Sequence, residues 1–204
     1  MFERLKRAWN ARGLKDENYA WMFEPYCGDE VVVFDTETTG LNTKKDAVLS
    51  IGAVKVKGDR ILTSESFEIF LKPDKEISVE SIKIHHIRPC DLEHAHEPLE
   101  GAKKFLDFIG NRPLVGYYLE FDMAMMNRLI KPWLGCELPH KQIEVSGLYF
   151  DKKIALIPQG NIDLRFDTIL RDLKIPRMGQ HNALNDAIMT AMVYIKLKNT
   201  LKLH

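Results

Sequence analysis

The sequence predicts an α/β protein built on one mixed five-stranded sheet with helices on both faces. Two observations carry that expectation. Residues 31–71 hold three strand-like runs, and Gly58-Asp59 between the second and third is a two-residue turn signal that sends the chain back antiparallel. From residue 98 onward helical and strand-like patterns alternate, as they do where helices cross over a partly parallel sheet. A chain of 204 residues is enough for one domain with a real core.

Residues 2–14 space Phe2, Leu5, Trp9 and Leu14 among Arg4, Lys6, Arg7 and Arg12, a short amphipathic helix with a basic outer face. It reads either as a helix packed on its own domain or as a contact for a protein partner, a second copy, a nucleic acid or a membrane surface. Residues 18–29, with Trp21, Phe23, Pro25 and Tyr26, read as an apolar connector folded back on the domain. The organisation expected is therefore an N-terminal helical extension over 1–26 and a main domain over 27–204.

In the main domain Val31-Val32-Val33-Phe34 is a strand buried on both faces. Residues 41–46 form a polar loop, 47–57 and 60–71 the next two strands, and 77–87 a helically spaced segment. Residues 98–109 predict a clearer amphipathic helix through Leu99, Ala102, Phe105, Leu106 and Ile109. Pro113-Leu114-Val115-Gly116 is a short buried strand that feeds residues 117–121 and then a helix over 122–134. A weaker strand is expected at 143–145 and an irregular insertion at 151–161. The last helices are expected at 164–173, ended by Pro176, and at 183–197.

Formal charge balances at zero, which argues against a broad polycationic surface and leaves phosphate handling to a local, metal-assisted site. Cys27, Cys90 and Cys136 are odd in number and far apart, so neither a disulfide framework nor a zinc ribbon is expected. No run approaches the roughly 18 apolar residues of a membrane span, and the first ten residues lack an apolar signal core. A cytoplasmic location and no membrane partner are expected.

The chemistry gathers around Asp35-Thr36-Glu37-Thr38-Thr39-Gly40. Side chains alternate along a strand, so Asp35 and Glu37 share a side, where two carboxylates repel unless a cation lies between them. The plainer reading, a turn opened by acidic residues, is weakened by the buried strand in front. Asp122 opens a helix after a buried strand and Asp186 lies near the start of the last helix. Taken singly, the first is explained as an N-cap and the second as an answer to the helix dipole. His181 precedes Asp186 by five residues, about 140° of helical rotation, so the two serve one site only if His181 lies in the loop.

In order, Asp-Thr-Glu-Thr-Thr-Gly-Leu, Phe121-Asp122 and His181-Asn182-Ala183-Leu184-Asn185-Asp186 resemble the DEDDh 3′-5′ exonuclease family. That family includes the epsilon proofreading subunits of DNA polymerase III, with ribonuclease T and oligoribonuclease more distant. The resemblance covers residues 31–197. It implies a ribonuclease H-like fold, two Mg²⁺ or Mn²⁺ ions on Asp35, Glu37, Asp122 and Asp186, and His181 as the general base. Two metals about 3.5–4 Å apart suit in-line displacement at phosphorus, and an imidazole of pKa about 6.5 suits proton abstraction at neutral pH.

The resemblance also implies that Thr36, Glu37 and Thr38 meet the 3′ terminus and that Leu41 wedges against the last base. His85-His86-Ile87 is similar to the family's His-Gly-Ile element, which makes His85 a nucleotide contact and puts His86 in the glycine position. Tyr117-Tyr118 stands where the family carries His-Asn, so stacking or a phenolic donor from Tyr118 is expected on the penultimate nucleotide.

The function expected is release of nucleoside 5′-monophosphates from single-stranded or frayed DNA 3′ ends, in repair or proofreading. RNA trimming is the second enzymatic reading, and a non-catalytic nucleic-acid-binding module the third. Only residues 198–204 follow the last expected helix, so a free-standing nuclease, or one docked through its N-terminal segment, is expected over one docked through a C-terminal tail.

Overall fold

A computed structural model describes residues 10–156, 161–179 and 181–201. Five strands form one sheet in the order β3-β2-β1-β4-β5. Strands β1 (Glu30–Thr38), β2 (Val48–Lys57) and β3 (Arg60–Phe70) run antiparallel in sequence order, and the turn at Gly58 has the left-handed φ of +56° that its glycine permits. β4 (Leu114–Gly116) joins the other side of β1 in parallel, and β5 (Gln142–Glu144) joins β4 in parallel. The mixed sheet is as the sequence predicts.

Strand parity divides the core. Val32 and Phe34 point to a layer holding Phe105, Leu106 and Ile109 of α2 (Pro98–Ile109) and Met123, Met126 and Ile130 of α3 (Leu119–Leu134). Val31 and Val33 point to the other layer, with Val145 and Tyr149 of α4 (Val145–Leu156), Ile169 and Leu170 of α5 (Phe166–Asp172), and Met189 and Val193 of α6 (Ala183–Leu201). Each fully buried side chain of this size contributes about 1.5–3 kcal/mol by leaving water. A short α1 (Val79–His85), capped by Ser78 accepting the Ser81 N–H, lies near a third cluster of Leu49, Ile87, Leu92 and Ala95.

Gly52 sets the spacing between sheet and α6. It pairs with Asp35 across β1 and β2, and a methyl group there would fall on the backbone of Ala183 and Leu184. The close approach lets the first turn of α6 lie against the end of β1.

Several boundaries differ from expectation. α3 begins at Leu119, with Tyr118 as its N-cap residue, so Asp122 lies inside the first turn and is not the cap. Residues 151–156, expected in an irregular insertion, continue α4, while residues 157–160 lie outside the described residues. Of the helix expected over 2–14, residues 1–9 lie outside the described residues and 10–12 are helical. The described part is tied to the end of α3: Asn10 exchanges two hydrogen bonds with the Glu137 backbone, and the Lys15 N–H donates to the Leu134 carbonyl. Residues Glu17–Phe23 form a 3₁₀ helix whose Met22 enters the main core. Among the described residues no helix is long and apolar enough to cross a membrane.

Candidate active site

The site forms where β1 ends. By the same alternation that buries Val31 and Val33, Asp35 and Glu37 leave the strand toward α6, and Asp186 in the first turn of α6 meets them. Each of these three carboxylates places an oxygen within 4.8 Å of the other two. A ladder irregularity between Glu37 and Thr38 re-aims the strand just past the pair.

Asp122 arrives from the opposite layer. Thr36 has the parity of Val32 and Phe34, so its side chain turns toward α3, and Asp122 Oδ1 accepts both the Thr36 N–H (3.0 Å) and the Thr36 hydroxyl (2.6 Å). The fourth carboxylate is thus beside the trio, and its oxygen is held by the residue between Asp35 and Glu37.

The electrostatics follow from crowding. Burial raises the Asp35 carboxyl well above its ordinary range, and the charges of Asp122, Asp186 and Glu37 raise it further. Burial, with Asp186 and Asp122 beside it, pushes Glu37 up to about 8. Burial pushes Asp122 up to about 7 against the opposing pull of its two Thr36 hydrogen bonds. Asp186 rises to about 6 through burial, offset by His181. Four crowded carboxylates, Glu37 and Asp122 buried and Asp35 and Asp186 half-buried, are each shifted toward the neutral form, and an all-oxygen donor set of this kind fits hard divalent cations.

His181 lies in the loop before α6, as sharing one site with Asp186 requires, at a left-handed φ of +55°. Asn182 caps α6 by accepting the Asn185 N–H at 2.9 Å and donates to Glu68 of β3 at 3.0 Å, which anchors the residue next to His181. The exposed His181 ring lines a cleft of about 430 Å³ together with Asp35 and Asp186.

The residues expected around the nucleotide divide into two groups. Leu41, 86% exposed, and Tyr118, 63% exposed, stand open to solvent. The others are committed within the chain. Thr36 is taken by Asp122, and the Thr38 hydroxyl donates to the Gly40 carbonyl at 2.8 Å. Tyr117 packs on Phe166 at 4.7 Å and donates to the Leu164 carbonyl. His85, expected as a nucleotide contact, is buried: its Nδ1 accepts the Ile87 N–H, which leaves Nε2 to donate to Ser81 Oγ at 2.7 Å. Its pKa is lowered by burial and by His86 and His181. The neighbouring His86 is exposed and meets the His181 ring instead.

Sequence reasoning missed other parts. Arg165 and Arg177 line the cleft, paired with Asp163 and Asp167, in a segment without motif character. Glu144 ends β5 as Asp35 follows the apolar run of β1, yet it caps α3 by accepting the Leu119 N–H at 2.8 Å. Asp46 organises the loop bearing Leu41 by accepting the Asn42 N–H at 2.7 Å.

The exonuclease family RNase_T matches residues 32–194. DNA polymerase III PolC-type of Thermotoga maritima is 29% identical over 171 residues, covering 84% of this chain but only 12% of that protein. The chain therefore spans about an eighth of the PolC-type relatives. DNA polymerase III subunit epsilon of Rickettsia felis is 27% identical over 171 residues, covering 81% of this chain and 72% of that one. In fold the chain is similar to E. coli exonuclease I in complex with a dT13 oligonucleotide, with a TM-score of 0.68, 15% identity, and coverage of 86% and 43% of the two chains.

Proposed function

The chain belongs to the RNase_T exonuclease family; from that premise we propose that it is a 3′-5′ exonuclease of the DEDDh type that removes nucleoside 5′-monophosphates from the 3′ ends of single-stranded or frayed DNA. The observation that carries this reading is the meeting of Asp35, Glu37 and Asp186 within 4.8 Å, with Asp122 beside them and an exposed histidine on the same cleft.

In this reading Asp35, Glu37, Asp122 and Asp186 hold two divalent cations, Mg²⁺ or Mn²⁺. When bound, the cations neutralise the carboxylates and polarise the scissile phosphate and the attacking water. His181, exposed on the loop and free of the acidic trio's burial, accepts the proton the water loses. Asp122, whose Oδ1 accepts the Thr36 N–H and hydroxyl, would be held by those bonds in position to bind a cation, and the backbone around Thr36 would meet the 3′ hydroxyl. Leu41 wedges against the last base, and Tyr118 stacks on the next, contacts that tolerate any base because every base has an apolar face. His85 supports this face from beneath through Ser81 and Ile87. Arg165 and Arg177 offer positive charge to phosphates along the cleft.

Single-stranded DNA is favoured over RNA by the neighbours, since the exonuclease I structure is of a complex with a dT13 oligonucleotide. Work alongside a polymerase, in proofreading, is favoured by the similarity to PolC-type and epsilon proteins. The test is degradation of 5′-labelled single-stranded DNA and RNA with Mg²⁺ or Mn²⁺, using Asp35→Ala and His181→Ala as controls. A ladder that shortens from the 3′ end faster on DNA, and is lost in both variants, is expected. No cleavage of either polymer, alongside tight metal-independent binding, would overturn the reading in favour of a binding module.

A further inference from the structure

Among the described residues the His181 ring takes part in no hydrogen bond. A general base ordinarily needs a third group to orient it. The ring packed against it is His86, edge to face, with centroids 6.5 Å apart and planes at 66°. His86 ends α1 in the left-handed region, φ +58° and ψ +9°, where its N–H donates to the Ile82 carbonyl at 2.8 Å. This is the helix-ending conformation that glycine adopts without steric cost, so a histidine there carries strain. His181 is also left-handed, at +55°, so two imidazoles carried on strained backbone face each other, one of them lining the cleft with Asp35 and Asp186. Strain of this kind persists where the surrounding structure over-determines it, and it clusters at functional sites.

We propose that His86 is a positioning residue that fixes the His181 ring over the cleft through ring packing. The proposal rests on His181 acting as the base. The anchorage is asymmetric in a useful way: Asn182 fixes the backbone after His181, whereas His86 fixes its side chain. The platform for His86 is α1, whose interior His85 is locked by Ser81 and Ile87, so the contact is made from a held support.

The test uses His86→Gly, which suits the backbone conformation, and His86→Phe, which keeps a ring but no nitrogen. For His86→Gly we expect a thermal midpoint equal to or above that of the parent, with kcat reduced roughly tenfold to a hundredfold and KM unchanged, since misplacing a reacting group acts on the chemical step. His86→Phe should recover most of kcat. In the metal-free protein, NMR of the histidine rings should show the His181 resonances displaced by His86→Gly and partly restored by His86→Phe. A His86→Gly variant with parental kcat, a change confined to KM, a His86→Phe variant as impaired as His86→Gly, or unmoved His181 resonances would each overturn the proposal. A parent protein inactive on both polymers would fail the proposed function instead, and the ring spectra would still decide the contact.

Discussion

The floor of the site and its rim are built in opposite ways. The floor, Asp35, Glu37, Asp122 and Asp186, stands on a central strand and the first turns of two long helices, and its spacing is set by Gly52 and by the Thr36 hydrogen bonds. The rim, Leu41, His86, Tyr118 and His181, stands on loops and helix ends, is exposed, and includes three of the four non-glycine residues with positive φ among the described residues. Charge-bearing groups are thus placed by regular structure that cannot yield, while groups suited to moving substrate occupy strained or solvated backbone. The contrast holds that losing a floor residue abolishes chemistry without unfolding, and losing a rim residue weakens binding or pace.

The largest effect should come from Asp122→Asn, which can keep both Thr36 hydrogen bonds and loses only the charge. Activity should fall further than in His181→Ala, where removal of a general base costs about 10²–10⁴-fold, while melting temperature is unchanged or raised. Activity close to the parental level in Asp122→Asn would break the division.

Gly52→Ala comes next, because the added methyl meets the backbone of Ala183 and Leu184 and must push α6 away from β2. Overpacking of this kind costs about 1–3 kcal/mol, and the displaced Asp186 should lower kcat together with stability. Thermal melts and initial rates check both; a stable variant with parental kcat would show that the spacing is not what places Asp186.

On the rim, Leu41→Ala and Tyr118→Ala should each raise KM severalfold with kcat nearly kept, in line with about 1–3 kcal/mol per stacked base. Steady-state kinetics on an oligothymidine measure this, and a loss of kcat at constant KM would group either residue with His86 and His181 and not with the substrate contacts.

The smallest effect is on stability without metal. Burial raises Glu37 to about 8, Asp122 to about 7 and Asp186 to about 6, above the unfolded values of about 4. The folded state therefore binds more protons than the unfolded state in that window, so stability is full near pH 4 and is lost as pH rises toward 8. Melts in EDTA should fall as pH rises from about 5 to about 8, at roughly 2–4 °C per kcal/mol, and Mn²⁺ should reverse the fall. A melting temperature that rises with pH would contradict the crowded floor.

The same contrast explains what the sequence could disclose. Asp35 and Glu37 are legible because a four-residue apolar strand fixes their side and ends in charge. Asp186 and His181 become legible only through the resemblance of His181-Asn182-Ala183-Leu184-Asn185-Asp186 to the family's motif, because the five-residue spacing says no more than that a histidine sharing the site must lie in the loop. The burial of His85 is not legible, because the Ser81 and Ile87 partners that neutralise its polarity depend on where α1 ends. α4 also escapes a reading by period: it buries Val145 and Tyr149, but Gly147 and the Lys152-Lys153 pair interrupt the apolar face, so its second half resembles a loop. The contact of Gly52 with α6 spans 131 positions and leaves no local trace beyond one glycine within a strand.

Because Val31 and Val33 face one layer while Val32 and Phe34 face the other, β1 carries something like a reading frame. One residue inserted between Val33 and Asp35 would send both carboxylates toward α3 and turn Thr36 toward α6, so every partner would be mismatched at once. Two inserted residues would restore the sides while advancing the acids a full pleat beyond Asp186. β1 therefore tolerates substitution but not a change of length, which loops such as residues 39–46 can absorb.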